Sequence, residues 1–307
     1  MKVVFAGTSE FAVPAFHALM DSDHELALTL TQPARPAGRG RRLRHTPLHD
    51  AAMECGIEPL MPKNLNDPSL LERLKGAGPD ALIVVAYGRL IPPAMLELPR
   101  FGGINLHPSL LPRWRGAAPV ERAMLAGDRE TGVAVMRMVE TLDSGEVYGL
   151  DTVAIKERET AGELSARLAG RGAALLLETL DALESGKADA RAQQGEATYA
   201  RRLEVGEARL DFTQPARLLA RRVMAFNPRP VAWCEMDGER LRILRAMALD
   251  EPAGGAIGTV VTAGKSGLDI ATGQGRLRVT ELQRAGRKVQ GADTLSRSGD
   301  WAGRRLG

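Results

Sequence analysis

Gly103-Ile104-Asn105-Leu106-His107-Pro108-Ser109-Leu110-Leu111-Pro112-Arg113-Trp114-Arg115-Gly116 is the run from which the rest of the chain can be read. Residues 103–106 read as the end of a buried strand. Asn105 and His107 are two apart, so both side chains leave the same face. Pro108 cannot donate to a sheet ladder, and Pro112 closes the run. An imidazole and a carboxamide therefore stand at the C-terminal edge of a strand, above a proline-bounded loop. In open α/β sheets, ligands bind at that edge. A lone histidine beside a turn is more often a core residue. The paired Asn105, the bounded loop and a second polar cluster, Leu142-Asp143-Ser144-Gly145, favour a site.

Outward from this run, the N-terminal part alternates between strand and helix. Residues 2–6, 24–31, 58–61, 80–87 and 131–139 read as strands, with 80–87 apolar enough to be buried on both faces. Residues 10–20, 47–56, 68–75, 118–126 and 160–185 read as helices, the first capped by Thr8 or Ser9. Such alternation predicts an α/β fold with a doubly wound, mostly parallel, Rossmann-like sheet. Gly7-Thr8-Ser9-Glu10-Phe11-Ala12 lacks the second glycine of GxGxxG, which argues against a nicotinamide dehydrogenase. Beyond a helix at 214–226, short alternating segments at 231–236, 239–246, 258–261, 267–270 and 276–282 are separated by glycine-rich turns. They predict a small antiparallel barrel. The expected organisation is a catalytic domain over 1–189, a linker over 190–207 and a barrel domain over 208–307.

The 307 residues are 44% hydrophobic, enough for real cores. No apolar run approaches the roughly 20 residues of a membrane span, so no membrane partner is expected. The N-terminal run shows no signal-peptide layout, and Cys55 and Cys234 stand far apart. A reducing cytoplasm is the expected location. The net charge of +3 is uneven: residues 191–305 carry 20 Lys/Arg against 13 Asp/Glu, residues 1–189 carry 21 against 25. A basic C-terminal part suits a polyanion, though an arginine-rich surface would look the same.

Residues 32–46 break the pattern. Arg35, Arg39, Arg41, Arg42 and Arg44 lie among prolines and glycines with no acidic residue. The segment cannot pack a core. Uncompensated guanidiniums suit phosphates and base edges, while the plainer reading is a solvated loop. His45 and His49 have HxxxH spacing, but no third ligand follows at useful spacing, so zinc is rejected.

Asn-x-His, Ser-Leu-Leu-Pro and Leu-Asp-x-Gly together resemble the folate-dependent formyltransferases. Phe5-Ala6-Gly7-Thr8, residues 32–40, Ala225-Phe226-Asn227-Pro228 and Thr198-Tyr199-Ala200 are similar to the tRNA-directed members of that family. The resemblance covers essentially the whole chain. It implies Asn105, His107 and Asp143 as catalytic residues and a pterin slot at Ser109, Leu110, Leu111 and Pro112. It implies no bound cofactor and no metal, with 10-formyltetrahydrofolate as co-substrate. It implies initiator methionyl-tRNA as acceptor, contacted by Arg35, Arg39, Arg41 and Arg42, with an OB-like C-terminal domain assisting. A monomer is expected. Some positions depart from the family. Pro108 stands where tRNA-directed members usually carry a small residue, Arg229 where tryptophan is usual and Arg89 where an aliphatic residue is usual. His-Pro-Ser-Leu-Leu-Pro resembles the glycinamide ribonucleotide branch, so formylation of a small amine is the runner-up. A non-enzymatic RNA-binding protein is the reading from another class, and the intact Asn105, His107 and Asp143 argue against it.

Overall fold

A computed structural model describes residues 1–37, 40, 42–297 and 300–307. The chain divides into two compact units: Met1–Pro119 with Glu130–Val153 and Ser165–Ala200, and Val120–Arg129 with Ala154–Leu164 and Arg201–Gly307.

The first unit is built on β1 (Lys2–Gly7), α1 (Val13–Met20), β2 (Glu25–Leu30), β3 (Arg35–Ala37), β4 (Arg42–Arg44), α2 (Pro47–Glu54), α3 (Pro68–Ala77), β5 (Ala81–Val85), α4 (Pro93–Leu96), β6 (Gly103–His107) and β7 (Arg115–Gly116). It continues through α5 (Pro119–Ala126), β8 (Glu130–Arg137), β9 (Val147–Ala154), α6 (Ala161–Glu184) and β10 (Tyr199–Ala200); α5, β9 and α6 each cross from one unit to the other. One six-stranded sheet has the order β2-β1-β5-β6-β8-β9. β2, β1, β5 and β6 are parallel, and β8 runs antiparallel to β6.

Strand β5 (Ala-Leu-Ile-Val-Val) is buried at every position, as a strand covered on both sides requires. Val4, Ala6, Leu82 and Val84 pack with Leu70 and Leu74 of α3 and Met95 of α4. On the other face Phe16 of α1 meets Phe5 edge-on, with ring centroids 5.8 Å apart. Gly172 of α6 lies so near Leu106 that a Cβ there would be 2.8 Å from it. Helices thus cover both faces.

Several local expectations change. Neither Thr8 nor Ser9 caps a helix: Ser9 makes no side-chain cap, and Thr8 Oγ1 donates instead to Tyr87 O at 2.8 Å. The strand expected at 58–61 reduces to a bridge between Leu30 and Leu60, because Pro59 and Pro62 cannot donate to a ladder. The 32–46 segment contains the β3–β4 hairpin, pairing Arg35 with Arg44 and Ala37 with Arg42.

The second unit is an antiparallel sheet with α7 (Ala216–Ala225) against it. Its strands are β11 (Ala232–Met236), β12 (Glu239–Leu249), β13 (Val260–Gly264), β14 (Gly267–Ala271), β15 (Arg276–Gln283) and β16 (Val289–Gly291), followed by α8 (Ala292–Arg297). The order is β11-β12-β15-β14-β13, with β16 paired to β15. The edge strands are not left open. Gly307 exchanges both backbone hydrogen bonds with Glu235, at 2.7 and 2.9 Å, while Leu306 N donates to Gly258 O and Val260 N to Arg304 O. Residues 304–307 therefore bridge β11 to the entry of β13, and Leu306 is buried beneath them.

Arg122 ties this unit together. It makes a two-pronged pair with Glu207, at 2.7 and 2.9 Å, and its Nε and Nη2 donate to the carbonyls of Arg201 and Arg202. The guanidinium holds the Glu207 carboxyl down at about 2. A carboxyl depressed when folded adds stability above its unfolded value, and that stability is lost as pH falls through the folded one. Arg122→Met is therefore expected to lower the thermal midpoint at pH 7 by about 2–4 °C. It also flattens the acid-side decline between about pH 4.5 and pH 2. Circular dichroism melts at pH 7 and across that window check both.

Candidate active site

Strand β6 ends at His107, and alternation puts Asn105 and His107 on one face. Their neighbours across the antiparallel pair are Met136 and Ala134 of β8. Ala134 and Met136 form an apolar floor with Leu111 and Val147. The proline-bounded loop folds down onto this floor through Leu111, while Leu110 packs over Gly132. Ser109 is fully buried and donates its hydroxyl to Arg113 O at 2.7 Å. Ser109 N, Leu110 O and Pro112 O are also taken up by protein partners. The N–H of Leu110 and both backbone groups of Leu111 have no hydrogen-bond partner among the described residues. Of the expected pterin-binding residues, Leu110 and Pro112 are half-buried, and Ser109 and Leu111 hold the loop from beneath.

His107 is buried, with its Nε2 at 3.0 Å from Trp114 O. A carbonyl only accepts, so Nε2 carries a hydrogen whatever the charge of the ring. Nδ1 is then the nitrogen that gains and loses the proton, and it lies 3.7 Å from Asp143 Oδ2. That same oxygen accepts from Gly116 N at 2.8 Å, which fixes the carboxylate. The carboxamide of Asn105 is half-buried and has no hydrogen-bond partner among the described residues. Such a group is a donor still available to a ligand.

Two backbone positions at this site are left-handed without being glycine: Trp114 at φ 63° and Asp143 at φ 47°. Each such residue costs on the order of 1–3 kcal/mol and persists only where its surroundings impose it. Residues 191–200 supply much of that surrounding. Thr198 Oγ1 accepts from Trp114 N at 2.9 Å, and Gln193 Nε2 donates to the carbonyls of Asp143 and Gly145 at 2.9 and 2.8 Å. From sequence this stretch reads as the first part of a linker. Thr198 carried a signal through its family likeness, while Gln193 carried none.

The basic segment is described only in part. Arg35 Nη2 donates to Gln32 Oε1 at 2.6 Å, and Gln32 Nε2 to Tyr87 O at 2.6 Å, so Arg35 is anchored through Gln32 to the backbone just past β5. Arg42 is exposed in β4. Arg39 and Arg41 lie outside the described residues. His45 and His49 stack ring on ring, centroids 3.8 Å apart. Arg89 donates to the carbonyls of Pro62 and Lys63. The Cys234 thiol is buried and pushed up to about 12 by desolvation, which makes it a poor nucleophile.

The "Formyl transferase" family model matches residues 1–180, and "Formyl transferase, C-terminal domain" matches residues 202–298. A protein of Methylococcus capsulatus named methionyl-tRNA formyltransferase is 45% identical over the whole of both chains. One of the same name from Xanthomonas campestris is 48% identical over 96% of this chain and 97% of its own. Among solved structures, HypX from Aquifex aeolicus, in complex with tetrahydrofolic acid, superposes over 95% of this chain and 46% of its own. The TM-score is 0.67 at 18% identity, a likeness of fold. With both of its parts matched and relatives this similar from end to end, the chain belongs to the formyltransferase family, within its methionyl-tRNA formyltransferase branch.

Proposed function

We propose that the chain transfers the formyl group of 10-formyltetrahydrofolate to the α-amino group of methionine on initiator methionyl-tRNA, with Asn105, His107 and Asp143 performing the chemistry. The observation that carries the chemistry is the pairing at the sheet edge: a proton-handling Nδ1 of His107 beside Asp143, next to an unengaged carboxamide. The amine nitrogen attacks the formyl carbon, a C–N bond forms, and negative charge gathers on the formyl oxygen. Asn105 donates to that oxygen without itself titrating. His107 Nδ1 accepts the proton that the amine loses. The bond from the formyl carbon to the folate nitrogen then breaks, and that nitrogen receives the proton from Nδ1. Asp143 holds the ring and balances the imidazolium while it exists. The free backbone groups of Leu110 and Leu111 suit the donors and acceptors along the edge of a pterin, with Pro112 flanking it. No step uses a metal.

On this reading residues 1–189 make a Rossmann-like catalytic domain and residues 208–307 an OB-like barrel. The closure of β11 and β13 through residues 304–307 supports the barrel. The arginine-rich segment 32–46, with Arg35, Arg39, Arg41 and Arg42, and the basic barrel bind the tRNA, and the protein works as a cytoplasmic monomer. The test offers the purified protein formyl-folate with charged initiator tRNA, charged elongator tRNA and glycinamide ribonucleotide side by side. Initiator tRNA is expected to be formylated fastest, and Arg39→Ala to raise its KM at least about fivefold while folate affinity holds. Faster formylation of glycinamide ribonucleotide would favour the small-amine reading, to which Pro108 points.

A further inference from the structure

Two side chains that touch no reacting group hold both halves of the site. Gln193 uses its whole amide. Its nitrogen donates to the carbonyls of Asp143 and Gly145, and its oxygen accepts from Arg115 Nη2 at 2.7 Å and Nε at 3.1 Å. It thereby clamps the turn that carries the carboxylate to the strand that follows the proline-bounded loop. Thr198 works on the other half. Its hydroxyl takes Trp114 N–H, its own N–H donates to Pro112 O at 3.2 Å, and its carbonyl accepts from Arg115 N at 2.9 Å. Trp114 is the residue whose carbonyl receives His107 Nε2. Beyond it, β10 runs parallel to β7, so close that a Cβ on Gly116 would sit 2.9 Å from Ala200 O. At the other end, Arg191 and Val147 exchange backbone bonds at 2.8 and 2.9 Å.

We infer that residues 191–200 form a strap over the active site, and that Gln193 and Thr198 are positioning residues for the formyl transfer. Gln193 sets the Asp143 carboxylate, and Thr198 sets the Trp114 carbonyl that orients the His107 ring. Both act through backbone groups at left-handed residues, Asp143 and Trp114, which relax once their external partners are gone. The inference rests on the proposed roles of His107 and Asp143.

The test is steady-state formyl transfer to charged initiator tRNA by the full-length protein carrying Thr198→Val, Thr198→Ser, Gln193→Ala or Gln193→Glu, beside His107→Ala. Misplacing a reacting group by about 1 Å costs up to about a hundredfold in rate. Thr198→Val and Gln193→Ala are expected to lower kcat by about tenfold or more, with both KM values within about twofold of wild type. Thr198→Ser keeps the hydroxyl and restores most of the rate. Gln193→Glu keeps the partner of Arg115 but turns an oxygen onto two carbonyls, so it is as slow as Gln193→Ala. Wild-type kcat in Thr198→Val and Gln193→Ala, a loss expressed in KM, or no recovery in Thr198→Ser overturns the strap. If His107→Ala is slow while all four strap variants run at wild-type speed, the strap alone fails. If His107→Ala is itself as fast as wild type, the assignment beneath it fails.

Discussion

His107→Ala is expected to lower turnover by about a hundredfold or more while formyl-folate affinity stays within a few-fold of wild type. The attacking amine has to lose a proton and the leaving nitrogen has to gain one. Nδ1 of His107 is the candidate for both transfers, since Nε2 is committed to the Trp114 carbonyl. Alanine removes the ring and leaves the loop proposed to hold the folate. Leu111 still packs on Ala134 and Met136, and Ser109 still grips Arg113 O. The loss therefore falls on kcat. Equilibrium binding of a folate analogue, set beside the turnover measurement, separates the two. Near-normal turnover would remove His107 from the chemistry.

Gly145→Ala is expected to be nearly as damaging, for a reason that involves no chemistry. A Cβ on Gly145 would lie 1.9 Å from Arg137 O and 2.9 Å from the carbon that bears it. Both obstructing atoms are backbone, so no side chain can rotate away. The 143–145 turn must lift off β8, taking Asp143 and the two carbonyls that Gln193 holds. Breaking a close backbone approach of this kind costs about 2–4 kcal/mol. The Asp143 carboxylate leaves the neighbourhood of Nδ1 as well. Urea unfolding and kcat are expected to fall together, by that amount and by about tenfold or more respectively. A variant as stable and as fast as wild type would mean that the turn is less constrained than its geometry indicates.

How much of this was legible in the sequence follows from where the information lay. Strand β5 is an unbroken apolar run, because both of its faces are buried, and could be read as such. Asn105 and His107 are local to one strand, so a period of two was enough to put them on one face. Asp143 could be associated with them through the turn that Gly145 permits. The straps and closures were not readable. Gln193 and Thr198 find their partners 50 and 84 residues away, from a polar stretch with no periodicity. The pairing of Gly307 with Glu235 is equally remote. Short prolines-and-arginines segments also misled. Residues 58–61 read as a strand, yet Pro59 and the following Pro62 leave only a bridge, while the β3–β4 hairpin forms from residues that read as loop. By its position Thr8 reads as a helix cap, and tertiary context gives its hydroxyl to Tyr87 O instead.

The central claim is that His107 and Asp143 act as one device on the transferring formyl group. Single-turnover formyl transfer to charged initiator tRNA, at saturating formyl-folate, tests it through the double-mutant cycle of His107→Ala and Asp143→Ala. Residues that act as a unit are not additive. The double variant is expected to be no more than about threefold slower than the slower single variant. Losses that multiply, with each substitution exacting its full cost in the presence of the other, would contradict the account.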